Sequence, residues 1–254
     1  MRKLMTGMVS LLGLFFFVPI GATVVLSFWQ EGAFSFRGYG DLLFDCFTFY
    51  PMFWNSVFYG LAITAGQLII GLLCAFGFSQ GRFKGKKILY LGYIVLMMMP
   101  LQVTILPNYI GLRDMGLLNT PQGIILPLFF SPFCVVVMHQ YMEGIDNGMI
   151  EAARLETNSM LRIILTAVVP QIKVCIFAVV LFVFTDCWNM LEQPMLFLKE
   201  DKYRTLSIFL ASTEKYVGNV LFPASVIFMI PVLLFYQYFN EYLENGLCLG
   251  KLSD

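Results

Sequence analysis

Residues 53–78 read FWNSVFYGLAITAGQLIIGLLCAFGF, without one charged side chain. A hydrocarbon layer is ~30 Å thick, so about 20 consecutive apolar residues in a helix are enough to cross it. In lipid, backbone N–H and C=O groups must be satisfied within the segment, which makes an isolated run of this kind a helix. Outward from it, the chain offers five more such runs. They are Leu4–Phe28, Ile88–Ile110 with Pro100 and Pro107 inside, Gly123–Tyr141 with Pro127 and Pro132, Ile163–Met190 with Pro170 near its start, and Val217–Phe239 with Pro223 and Pro231. The expected fold is therefore an all-α integral membrane protein of six transmembrane helices. One transmembrane domain takes up residues 1–254.

The whole composition agrees. Of 254 residues, 59% are hydrophobic and 13% are charged, with a mean hydropathy of +0.77. A soluble domain is nearer ~45–50% apolar and ~25% charged. Zero formal net charge gives no field for nucleic acid, so no nucleic-acid partner is expected. The six cysteines (Cys46, Cys74, Cys134, Cys175, Cys187 and Cys248) form no CxxC pair, and most lie in apolar runs. There they behave as small hydrophobes rather than metal ligands. Arg2 and Lys3 precede the first run as in a signal peptide. That run exceeds a ~7–15-residue signal core, so it reads as a retained signal-anchor helix.

Lys and Arg in short loops set orientation. With the N-terminus inside, the inner segments hold Arg2, Lys3, Arg82, Lys84, Lys86, Lys87, Arg154, Arg162 and Lys251. The outer ones hold Arg37, Arg113, Lys199, Lys202, Arg204 and Lys215. The bias places both termini in the cytoplasm, and the cluster at 81–87 reads as a topology signal. No loop is large enough for a catalytic domain. The inner loop 143–162 is nonetheless longer than the ~2–8 residues a connector needs. Ile145, Met149, Ala152, Ala153 and Glu156 recur at helical spacing. Asp146 or Asn147 caps a first helix, and Thr157-Asn158-Ser159 starts a second. Two short helices joined by a turn are expected there.

Enzyme signatures are missing: there is no GxSxG, HExxH or P-loop, and His139 is the single histidine. It is an interhelical hydrogen-bonder or a proton relay. No catalytic residue, metal site or cofactor is expected. Polar groups inside spans are costly and mark candidate pathways. These are Asn55, Ser56, Gln67, Gln102, Asn108, Lys173, Asp186 and Asn189. Lys173 either snorkels to the inner surface or pairs with a carboxylate. Asp186 and Asn189 share a helical face, and either line a cavity or sit among headgroups. A proton- or ion-driven secondary transporter or channel is the alternative to a driven permease. It expects midplane carboxylates and repeats, neither of which the sequence contains. A membrane enzyme lacks its catalytic pairs.

Glu151-Ala152-Ala153, followed by Thr157 and Pro170, resembles the EAA motif (EAA-x3-G-x9-I-x-L-P) of ABC-importer permeases. Asn55-Ser56, the basic loop 81–87, Gly116-Leu117-Leu118-Asn119-Thr120, Trp188-Asn189 and Thr205-Leu206 resemble further landmarks of the carbohydrate-type permeases, in order, across about residues 53–250. The chain is similar to the shorter permease of maltose-type systems. The resemblance implies a type I ABC importer permease-like bundle. Its core unit is about 53–245, and 143–162 forms a cytoplasmic coupling-helix loop. It implies a bacterial-type inner membrane location in contact with lipid. The implied partners are a second permease, two ATPase subunits and an extracytoplasmic solute-binding protein, with a sugar or oligosaccharide as cargo. Glu151, Ala152, Ala153, Thr157, Asn158 and Pro170 would couple to the ATPase. Asp186, Trp188 and Asn189 would form the pathway or outer gate. The sequence departs from the motif at Thr157 (Gly), Ala167 (Ile), Val169 (Leu) and Met190 (Glu). A β-branched Thr does not take the positive φ that Gly supplies, so the left-handed residue is expected at Asn158.

Overall fold

The computed structural model describes the backbone of residues 2–30, 32–212 and 220–249, and the side chains of residues 8, 13–30, 32–212 and 220–239. It is helical almost throughout. Among the described residues the single sheet is the hairpin of β1 (Trp29–Gln30) and β2 (Ala33–Phe34). The helices, in order, are α1 (Arg2–Ser27), α2 (Arg37–Gly40), α3 (Phe49–Gln80), α4 (Lys86–Met97), α5 (Leu101–Asp114), α6 (Pro121–Leu128), α7 (Pro132–Glu143), α8 (Asn147–Glu156), α9 (Met160–Ile163), α10 (Val169–Gln171), α11 (Lys173–Asn189), α12 (Glu192–Phe197), α13 (Leu206–Ala211) and α14 (Leu221–Leu249). The expected start of the last run at Val217 lies outside the described residues.

The run that decides the fold class becomes the central post. α3 has 32 residues, about 48 Å at ~1.5 Å per residue, so it outreaches a ~30 Å hydrocarbon layer at its ends. α7 and α11 pack along it more extensively than any other pair of elements. Tyr59, Ile63, Ala75 and Phe76 of α3 meet Cys134 and Met138 of α7 and Cys175, Val179 and Val183 of α11 in the main core. A second cluster, around the N-terminal end of α3, joins Phe49, Met52, Phe184, Trp188, Phe209 and Ala224. α1 and α14 pack on each other at the periphery. They present Leu14, Phe15, Phe16, Leu233 and Leu234 outward, the kind of surface that lipid covers and water does not.

Proline breaks three of the expected spans. α4 and α5 meet at 99°, because Pro100 is extended (ψ 148°) and starts α5 rather than continuing α4. α6 and α7 part at residues 129–131, with Pro132 opening α7, the helical position that tolerates a missing N–H. The run Ile163–Met190 is not one straight helix. α9 passes into a π-turn at Ile164–Val168 and then α10. The chain then bends by 97° before α11 begins at Lys173. Pro170 has no N–H for the carbonyl four residues back, which disrupts the helical ladder. Lys173 accordingly sits exposed in the first turn of α11. Among the described residues, three helical stretches are long and apolar enough to cross a membrane (Phe49–Gln80, Pro121–Glu143 with α6 and α7 taken together, and Leu221–Phe239), or up to five if each bent pair is one span, and Gly13–Ser27 adds a shorter apolar helix. The segment 191–212 that follows α11 is itself built, from α12, a turn at Asp201–Tyr203 and α13.

One glycine permits the α6–α7 break to lie on α3. A Cβ on Gly66 would come within 2.4 Å of the Phe129 ring. Gly66→Ala is expected to force that ring out of its packing and to cost about 1–3 kcal/mol by overpacking. A thermal melt in detergent should show a Tm several degrees lower. Gly77→Ala, with nothing within 4 Å, should leave it unchanged.

Candidate functional site

The two breaks and the straight post leave a space between them. A cavity of about 940 Å3 lies among α3, the α4–α5 bend, the α6–α7 break and the C-terminal part of α11. Gln67, Asn108, Asp186 and Asn189, singled out from the sequence as costly intramembrane polar groups, all line it. Thr104, Ser131, Glu192 and Gln193 add to them, and Tyr93, Phe130 and Phe133 supply aromatic surface. Gln102, Lys173 and His139 are not part of the lining. His139 packs on the Tyr90 ring at 4.2 Å and places Nε2 3.4 Å from Glu143 Oε1. That is an interhelical and local role.

Gln67 explains how a broken helix is tolerated beside the cavity. Pro132 cannot donate to the Leu128 carbonyl four residues earlier. The Gln67 Nε2 donates to that carbonyl instead, at 2.7 Å, while its Oε1 accepts from Cys134 Sγ at 3.2 Å. Asn189 Nδ2 donates to the Thr185 carbonyl of its own helix at 2.8 Å.

The expected gate trio divides. Asp186 and Asn189, three residues apart, face the cavity, and Trp188 does not. At ~3.6 residues per turn it falls on the other side of α11. Trp188 is 0% exposed and lies near Phe184 (5.8 Å) and Phe53 (6.0 Å). Its Nε1 donates to the Phe228 carbonyl at 3.0 Å. A buried indole N–H needs such an acceptor. Trp188 therefore fastens α11 to α14.

At the N-terminal end of α3, separate sequence landmarks meet. Asn55 Nδ2 donates to the carbonyls of Lys202 (2.8 Å) and Arg204 (3.0 Å), and Tyr59 Oη to that of Tyr203 (3.0 Å). Ser56 Oγ accepts from the Leu206 N–H at 2.8 Å. The Asn-Ser pair thus holds the segment leading into α13. Asn119, which sequence reasoning passed over as a site, is a second anchor. It takes the left-handed conformation (φ 60°). Its N–H donates to the Phe197 carbonyl at 2.8 Å. Its Oδ1 accepts from the N–H groups of Lys199 (3.0 Å) and Glu200 (2.9 Å), and its Nδ2 donates to Glu200 Oε1 at 2.6 Å. The Gly-and-Asn turn signature at 116–119 was the available signal. The hydrogen bond from Lys202, and then that from Asn119, holds the Glu200 carboxyl below its ordinary value.

At the other end of α3 sits the loop 143–162. It is two short helices, α8 and α9, as expected. Asp146 caps α8 by accepting from the Gly148 N–H at 3.0 Å. Ser159 caps α9 through the Arg162 N–H at 3.5 Å. The buried face differs from the sequence pattern. Ile150 is 2% exposed and Met149 43%, with Ala153 packed against the core. Ile145 precedes α8, so the periodicity does not run through it. Gln80, ending α3, reaches Asn147 Oδ1 and Arg154 Nη2, each at 3.4 Å. Glu151 and Ala152 lie on the exposed side, and Glu151 has no ion pair or side-chain hydrogen bond among the described residues. Leu155 is 91% exposed.

The left-handed turn expected at Asn158 is absent: among non-glycine described residues only Asn119 has positive φ. The link is extended instead, with Thr157 at φ −152°, ψ 142° and its Oγ1 accepting from the Ser159 N–H at 3.2 Å. An extended backbone suits a β-branched residue, so no glycine is needed.

A helical bundle with a polar cavity and no catalytic constellation has the makings of a membrane transport component. The described residues contain no His/Cys/Asp/Glu group able to hold a metal ion. Residues 67–247 match the family described as binding-protein-dependent transport system inner membrane component, and the chain belongs to that family. It is a permease component of an ABC transporter and not an enzyme. The arabinooligosaccharides transport system permease protein AraQ of Bacillus subtilis is 28% identical over 86% of this chain and 79% of its own. The sn-glycerol-3-phosphate permease protein UgpE of Brucella abortus is 26% identical over 77% and 71%. The diacetylchitobiose uptake permease DasC of Streptomyces coelicolor is 24% identical over 79% and 76%. In structure, a bacterial ABC transporter involved in import of the acidic polysaccharide alginate shares the fold. Its TM-score is 0.84 at 22% identity, over 95% of this chain and 96% of that one.

The Asn119 anchor has a testable consequence. Asn119→Ala should speed hydrogen–deuterium exchange of Lys199 and Glu200 about tenfold, the equivalent of ~1.4 kcal/mol of hydrogen bonding. Because the folded Glu200 carboxyl titrates below its ordinary 4.5, its contribution is present above that pH and is lost as pH falls through the lowered value. Protection in the wild type should drop over that acidic range. Equal protection in the two proteins at pH 7 would contradict the anchor.

Proposed function

We propose that this chain is one permease half of an ATP-driven importer for a sugar or oligosaccharide. It pairs with a second permease, two ATPase subunits and an extracytoplasmic binding protein. The reading places six spans in the inner membrane with both termini and the loop 143–162 cytoplasmic, as the basic residues at 81–87 favour. Residues 53–245 form the core permease unit. Asn119 and the segment 197–206 then face outward, where the binding protein arrives. Asp186 and Asn189 line this chain's part of the pathway, and Trp188 holds their helix in place. The cargo class follows from the names of AraQ and DasC.

The observation that carries the proposal is the state of the coupling loop. α8 is tied on one face to α3 through Gln80 and to the main core through Ile150 and Ala153. On its other face it offers an unpaired Glu151 beside the small Ala152 and the apolar Leu155. A chain without a nucleotide-binding loop has to take its energy from a partner, and this is a face shaped for one. Small residues allow close approach, and a carboxylate offers two acceptors to an Arg or Lys of the ATPase. The loop passes through Thr157, Asn158 and the Pro170 bend into α11, whose far end reaches the cavity.

Glu151→Ala should therefore leave the membrane level near wild type, weaken ATPase retention on co-purification and lower uptake more than tenfold. The underlying loss is ~2–5 kcal/mol, from a buried cation left unpaired at the interface. Wild-type uptake with normal ATPase retention would remove Glu151 from the coupling role.

A further inference from the structure

Family membership leaves the charge of the cargo open, since the relatives named above include a permease for a phosphate ester and one for arabinooligosaccharides. The cavity narrows it. Two ionisable carboxylates, Asp186 and Glu192, line it, and among its lining residues there is no Lys, Arg or His. The remaining polar lining is amide and hydroxyl: Gln67, Thr104, Asn108, Ser131, Asn189 and Gln193. Resting on the importer reading, we infer that this half of the pathway selects against anions and passes uncharged, polyhydroxylated solutes, or cationic ones.

Low-dielectric walls focus the field of same-sign charges into a cleft, where potentials reach several kT. Each carboxylate therefore repels a phosphate or uronate far more strongly than it would in water. A neutral sugar meets no such barrier. Its hydroxyls donate to the carboxylates and exchange hydrogen bonds with the amides, and its apolar ring faces meet Tyr93, Phe130 and Phe133. A pathway built for an anion would instead place Arg or Lys here, as phosphate and carboxylate recognition requires.

The test reads the potential directly. Asn108→Cys places a thiol on the cavity wall in the full chain, assembled with its partners in membrane vesicles. Its labelling rate, above that of the parent chain, is measured with a cationic and an anionic methanethiosulfonate of similar size. The cationic reagent should react faster, and Asp186→Asn with Glu192→Gln should lower the cation-to-anion rate ratio about tenfold, since a change of ~1 kT in potential acts on both reagents oppositely. Ser131→Cys serves as a second reporter should Asn108→Cys not assemble. In parallel, ATP-dependent uptake is compared for arabinotriose and N,N′-diacetylchitobiose against glycerol 3-phosphate and a mannuronate trisaccharide. Uptake confined to the uncharged probes supports the inference. An unchanged rate ratio, or uptake of an anionic probe equal to that of a neutral one, overturns it and leaves the importer reading standing. No ATP-dependent uptake of any probe overturns both.

Discussion

Pro170 lacks the N–H that would close a helical turn, and the chain answers with a π-turn before it and a 97° bend after it. The rest of the molecule is arranged about that bend. It lets α8 and α9 lie across the end of the bundle while α11 runs up through it. Without the bend the exposed face of α8, proposed as the docking face, would point along α11. The bend is held from both sides: Ile163, Ile164, Val168 and Ile172 are all buried in the main core, beside Ile150 of α8. Under the proposed coupling, motion imposed on the loop would act on a packed unit. A packed core has few ways to absorb it by continuous deformation.

α3 gives that unit something to work against. Its length brings the same helix to Gln80 at the loop and to Asn55, Ser56 and Tyr59 at the opposite end. Gly66 and Gln67, near its middle, seat the α6–α7 break. The cavity is a consequence of this arrangement. One unbroken post stands beside two interrupted spans, and the interruptions leave the space that polar side chains fill. The breaks are tolerable because freed backbone groups find partners, as the Leu128 carbonyl does in Gln67. Irregular backbone at membrane depth is otherwise confined to sites that line water or are buried in protein.

The helical membrane class was legible from residues 53–78, and the two-helix loop from its length and its caps, though not which face of α8 is buried. The family landmarks were legible as well, though not why they travel together. Asn55-Ser56 and Thr205-Leu206 are one contact, and Asn119 and 197–200 another. Both join positions distant in sequence, which no local pattern reveals. Span boundaries at prolines were readable as interruptions but not as right-angle bends, since bend angles come from packing. Trp188 lies apart from Asp186 and Asn189 because neighbours in sequence point to different sides of a helix. The left-handed Asn158 failed because a Gly requirement was carried over to a link that is extended.

The central claim is that the Pro170 bend transmits loop motion into α11. It is tested most directly by the ATP hydrolysis of the assembled transporter carrying Pro170→Ala, measured with and without cargo-loaded binding protein. The account predicts normal membrane levels, retained ATPase subunits and preserved basal hydrolysis, with stimulation by the loaded binding protein sharply reduced. Stimulation equal to wild type would contradict it.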